Sequence, residues 1–238
     1  MRKLKERLVD ILAFPASFFE KLTDRKLTLI LGILLIGVIN LMLPDVVSIF
    51  KTIFTQKPVS DVKYNAFMII VVFAALGIID VVFIGVPLYD IFKLLKKKEA
   101  SVSAQYKEQI EDGNGEYNKE MAMVDRFESQ EHIASPIKVM KIYIMSHFLI
   151  IPINTLLYHV LVRRITDDSP EWMLNLWVTL FMLIFIWGQA ILTRGINVLF
   201  RFNPVFRRMT FIIVFAWSFV FSTVFDMKIM GWILRLLR

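Results

Sequence analysis

Five stretches of 17 to 26 residues in this chain run almost without charge, and no other feature constrains its fold as strongly. They are Leu27 to Pro44, Tyr64 to Tyr89 with the single carboxylate of Asp80, Ile142 to Val162, Trp172 to Thr193, and Met209 to Phe225. A helix of roughly 20 apolar residues covers the ~30 Å of a bilayer's hydrocarbon. Strands of a membrane barrel would alternate polar and apolar residues, and these stretches do not. The expected fold class is therefore all-α: a polytopic integral membrane protein with five transmembrane helices and amphipathic interfacial helices. Composition agrees. The chain is 57% hydrophobic with a mean hydropathy of +0.61, more apolar surface than a soluble domain of 238 residues can bury.

Lysine and arginine set the expected orientation. Twenty of them fall before the first stretch, between the second and third, and between the fourth and fifth; eight fall on the other side. This asymmetry predicts a cytoplasmic N-terminus and an outside C-terminus in a cell membrane, with a bacterial cytoplasmic membrane as the expected setting. The formal net charge of +7 is thus mostly a topology signal, and with no recognition motif beside it a nucleic-acid partner is not expected. No A-x-A-like cleavage site follows the first apolar run, so that run is expected to stay as a span. The absence of cysteine excludes disulfides, thiolate metal sites and palmitoylation.

The chain divides into residues 1–26, a cytoplasmic amphipathic segment; 27–92, the first two spans; 93–141, a polar connection; 142–225, the last three spans; and 226–238, a short amphipathic end. In the first segment Leu4, Leu8, Ile11 and Leu12 recur at helical spacing, opposite the basic residues Arg2, Lys5 and Arg7, with Lys3 beside them. That is the pattern of a helix lying on an anionic leaflet. Pro15 ends it. Ser17 and Glu20 suggest a capping box for a second helix, whose Phe18, Phe19 and Leu22 would dip into the acyl boundary.

The connection opens with Lys96, Lys97 and Lys98 at the lipid surface and breaks at Gly113-Asn114-Gly115. Two polar helices around that turn, or a helical extension of the second span followed by partial disorder, are the expected forms. This segment is also where a protein partner would bind. "DGNGEYN" resembles the start of a calcium loop, but Tyr117 stands at the sixth place and Met123 at the twelfth, so no metal site is expected. "RGINVLFRFNPVFRR", residues 194–208, reads as an interfacial stretch ending in Arg207 and Arg208.

Polar residues within the spans form the candidate site. Asp80 and Asn154 are each expected near a midplane, where they would meet; His147 and Gln189 lie toward the cytoplasmic ends of their spans. Trp217 and Ser218 are further candidate partners for the carboxyl. Pro87 and Pro152 fall inside spans and would shape the bundle by kinking. Catalytic templates are missing: there is no H-E-x-x-H, no nucleophile elbow, no phosphate loop, and no second aspartate to pair with the "LYD" at Asp90. An enzyme is not expected, nor is a cofactor.

The Pro15-x-x-Phe18-Phe19-x-x-Leu22 segment leading into the first span, the five spans without a large extramembrane domain, and the closeness of the last two spans resemble the Yip family of Rab-interacting membrane proteins. The layout is most similar to their short bacterial relatives. Eukaryotic members carry an Asp-Leu-Tyr-Gly-Pro signature; this chain has "PLYD" at 87–90. The resemblance implies a non-enzymatic protein of membrane organisation, trafficking or transport, with no catalytic residues to carry over. The expected function is a scaffold engaging anionic lipids and protein partners, with a homo-oligomer among its expected states. The alternative is a small proton- or ion-coupled transporter or channel subunit using Asp80.

Overall fold

The computed structural model describes residues 10, 14–40, 62–112, 134–161, 163 and 169–224. Every element among them is a helix: α1 Ala16–Glu20, α2 Lys26–Asn40, α3 Val62–Asp112, α4 Pro136–Val160, α5 Glu171–Phe200 and α6 Pro204–Val224. Four stretches, Ala74–Val102 of α3, the whole of α4 and α5, and Pro204–Phe221 of α6, are long and apolar enough to cross a membrane. The first expected span appears as α2, 15 residues or about 22 Å of helix. The remainder of that stretch, after Asn40, lies outside the described residues, as do the basic residues Arg2, Lys3, Lys5 and Arg7, the glycine turn at 113–115, and 226–238.

Local signals explain the helix ends. Ser135 caps α4 by accepting the Ile137 N–H at 3.2 Å, and Pro136 follows in the first turn, where its missing donor costs nothing. The helix therefore begins six residues before the apolar run and carries Lys138 and Lys141 inside its first two turns. Ser135→Ala should lower stability by about 1 kcal/mol, read as a shift of the unfolding midpoint in detergent micelles. At the far end of α5, Arg201 adopts a left-handed conformation (φ 51°, ψ 49°) and its N–H reaches back to the Asn197 carbonyl at 3.0 Å. Pro204 then opens α6. Helices α3 and α4 run unbroken through Pro87 and Pro152.

Helix α2 packs on α3 and α4, α4 on α3 and α5, and α6 on α5 and α3, while α1 lies against α5. The core is continuous from Ile36 and Leu76 through Ile142 and Ile196 to an aromatic group in which Phe200 and Phe202 stack at 5.5 Å, with Phe92 at 6.0 Å from each. Apolar residues that point outward, such as Leu174, Leu183, Ile212 and Phe219, are half or more exposed, as a lipid-facing surface requires.

Two expectations at one end of the bundle are corrected. The 194–208 stretch is not a separate interfacial segment: α5 stays helical through Phe200, and Ile196, Phe200 and Phe202 are buried in the bundle, because protein side chains rather than lipid cover them. Likewise Ser17 does not cap α1; Pro15 holds the cap position with no side-chain hydrogen bond, and Phe19 is fully buried against α5 instead of facing lipid. Phe18 alone of the pair is exposed, at 43%.

Candidate functional site

The charge that interrupts the second apolar run is placed by α3 against α4. Asp80 is 3% exposed, and the hydroxyl of Tyr143 donates to its Oδ1 at 2.5 Å. Four residues on, one turn along the same face of α4, His147 brings Nε2 to 3.1 Å from the Tyr143 hydroxyl and 3.7 Å from Asp80 Oδ2. The two rings lie 4.4 Å apart, centroid to centroid. Tyr143 is buried, and the His147 side chain keeps 28% of its surface exposed at the edge of the cluster. Ser146, between them in sequence, is buried and turns its hydroxyl back to the Tyr143 carbonyl at 2.8 Å.

Small residues allow this approach. A Cβ on Gly85 would sit 2.6 Å from Met140 Cγ, and one on Gly32 would sit 2.9 Å from Ile144 Cδ1, so α2, α3 and α4 converge around the carboxyl with little side chain between their backbones. In lipid, where no hydrophobic force draws helices together, such close packing and interhelical hydrogen bonds carry association.

Of the four expected site residues, the structure brings Asp80 and His147 together and leaves Asn154 and Gln189 apart from them. Asn154 lies eleven residues past Tyr143 on α4, about 16 Å along the axis, too far for the Asp80 carboxyl. Its Oδ1, and the Oε1 of Gln189 on α5, are buried without a hydrogen-bond partner. The same holds for Trp217 Nε1 and Ser218 Oγ, which therefore do not hold Asp80. Tyr143 was not among the expected residues. The signal that identifies it is the spacing Tyr-x-x-x-His in "YIMSH", which stacks a hydroxyl and an imidazole on one helix face.

A second polar cluster lies where α3 leaves the apolar region. Glu99, 4% exposed, accepts from Lys96 Nζ at 2.7 Å and from the backbone N–H of Asn203 at 2.7 Å. Lys96 also donates to the Arg201 carbonyl at 3.3 Å and lies over the Phe202 ring. The pair clasps the α5–α6 turn, so Lys96 is taken up in protein contacts while Lys97, Lys98, Arg207 and Arg208 remain exposed.

The chemistry open to the main cluster is proton exchange among a carboxyl, a phenol and an imidazole. No group of three His, Cys, Asp or Glu side chains placed to hold a metal ion occurs among the described residues. Asp90, exposed and ten residues from Asp80 on the same helix, does not join it. His159 is bonded to the Thr155 carbonyl, also away from the cluster. No protein-family model, curated protein or solved structure matches the chain.

Proposed function

We propose that the chain is a non-enzymatic, five-span membrane protein of the Yip-like layout, acting as a membrane-organising scaffold. Its N-terminus faces the cytoplasm and its C-terminus the outside of a bacterial cell membrane. Lys97, Lys98, Arg207 and Arg208, exposed near the basic end of the bundle, engage anionic headgroups, and the 93–141 segment offers a surface to protein partners. The observation that carries this reading is the burial of Asp80. A carboxyl that is 3% exposed and bonded across helices at 2.5 Å acts as a packing contact, which favours a fixed bundle over an open path.

One observation favours a second reading, a small proton-coupled transporter or channel subunit: an imidazole stands 3.7 Å from that same carboxyl. Proton and cation flux in proteoliposomes separates the two. On the scaffold reading, native protein and an equally well-folded Asp80→Asn variant both give the flux of protein-free vesicles. A flux present in the native protein and lost in Asp80→Asn sinks the scaffold reading and makes the transporter the better one.

A further inference from the structure

A proline inside a spanning helix leaves a carbonyl in need of a donor. Pro87 has no N–H, so the Phe83 carbonyl, one turn before it on α3, loses its helical partner. In hydrocarbon no bulk water replaces that partner, and a freed backbone group is served by a neighbouring helix or by an ordered water. On one side α4 offers only the Met140 side chain, against Gly85, and a thioether has no hydrogen to give.

The neighbour on the other side is α6. The Phe83 and Phe221 rings lie 6.2 Å apart, and further along α3 Glu99 accepts from the Asn203 N–H at 2.7 Å. Between these two ties the helices run antiparallel, which sets Trp217 and Ser218 opposite the stretch Gly85 to Pro87. A helical carbonyl points along the axis toward the residue four places on, so the Phe83 oxygen reaches into the same stretch. Trp217 stands about 20 Å along α6 from Pro204, deep in the apolar region. There Trp217 Nε1 and Ser218 Oγ are buried without a hydrogen-bond partner, and Ser218 as a whole is 5% exposed.

Helical hydroxyls have an ordinary remedy for burial, a bond back to their own helix. Ser146 takes it with the Tyr143 carbonyl at 2.8 Å, Thr179 with Asn175 at 2.8 Å and Thr210 with Phe206 at 3.1 Å. Ser218 does not. The indole has no such remedy, since its N–H only donates and the carbonyls around it serve the N–H groups of α6 itself. One donor, one acceptor and one hydroxyl that can be either are thus gathered at one level of one interface, none bonded to another. A molecule that satisfies all three must accept and donate at once. Water does both, and buried waters make about three such bonds.

We propose that the α3–α6 interface binds a structural water, which accepts from Trp217 Nε1, donates to the Phe83 carbonyl and is hydrogen-bonded to Ser218 Oγ. It ties the proline break of α3 to α6. The site uses none of the residues on which the scaffold and transporter readings rest, so vesicle flux does not test it.

The test uses the full chain in lipid nanodiscs with nitrogen-labelled indoles, of which there are five, and reads magnetisation passed from water to each indole proton. Trp217→Phe assigns the Trp217 signal, and Trp172, 62% exposed, is the solvent-exposed reference. In the native chain Trp217 should receive magnetisation from water. Pro87→Ala returns an N–H to the Phe83 carbonyl and should weaken that transfer about twofold or more, Ser218→Val fills the water's place and should abolish it, and Pro152→Ala should leave it unchanged. The bundle is judged intact where the other four indole signals keep their positions. No transfer to Trp217 in the native chain, with Trp172 receiving it, overturns the proposal. So does an undiminished transfer in either Pro87→Ala or Ser218→Val with the bundle intact, or an equal loss in Pro152→Ala.

Discussion

Gly77→Ala should force α2 and α3 apart, and Gly77→Leu should prevent the bundle from assembling. A Cβ at this position would fall well inside the contact distance of the Ile33 carbonyl oxygen, 2.9 Å from the carbonyl carbon and 3.1 Å from the Gly37 nitrogen. All three are backbone atoms of α2. A side chain can turn away, as the Met140 side chain can for Gly85, but a helix backbone moves only as a unit. The neighbouring Asp80–Tyr143 bond is one turn from Gly77 and would be strained by any such movement. Overpacking typically costs about 1–3 kcal/mol. Gly77→Ala should reach or pass the upper end of that range, and Gly85→Ala, whose nearest contact is the Met140 side chain rather than backbone, should cost less. Unfolding by sodium dodecyl sulphate in mixed micelles ranks the variants, and equal midpoints for Gly77→Ala and Gly85→Ala would show that α2 and α3 do not meet at this point.

The contrast between these two glycines marks what sequence reading reaches. Hydropathy alone locates the long helices, since about 20 apolar residues have few other uses, and α3 to α6 each contain all or most of the stretch expected of them. Which face of each helix meets a neighbour is not written in that signal. In a helix that is apolar on all sides no stripe points inward, so Gly77 and Gly85 read alike. Asp80 and His147 stand out because ionisable groups are rare in such runs. Tyr143 does not, because aromatic residues near the end of a span are ordinary.

Taking each apolar run's centre as its depth pairs Asn154 with Asp80. The structure departs from that pairing because α3 continues to Asp112 and α4 starts at Pro136, so both helices extend past their apolar runs at the same end. The level at which they meet, marked by Gly85 against Met140, is shifted toward that end.

The sharpest separation between a segment that lies on a membrane and one that docks on its own bundle comes from two adjacent phenylalanines. Phe18 and Phe19 share a local aromatic group with Phe14, at centroid distances of 5.5 to 6.4 Å. Of the two adjacent rings, Phe19 is the one covered by the bundle: its Cε1 would lie 3.0 Å from a Cβ on Gly195, beside Ile142. The chain after it is tied down by Lys141 to the Thr23 carbonyl, and Lys138 stands 3.7 Å from Asp24. Arg194 pairs with Asp10 further back.

Truncating a buried phenylalanine leaves a ring-sized void, and Phe→Ala in cores costs about 3–5 kcal/mol. Phe19→Ala should lose that much, and Phe18→Ala, at a half-exposed site, less than about 1 kcal/mol. Limited trypsin digestion in micelles should cut Phe19→Ala several-fold faster at Lys21 and Arg25, with Phe18→Ala close to the native rate. If the segment instead lay in the acyl boundary, both rings would leave lipid for alanine and neither would open a void. The two variants would then melt and cleave alike. A difference between them places the anchor of the N-terminal segment at Gly195 and Ile142, inside the protein, with Lys141, Lys138 and Arg194 as its polar ties to α4 and α5.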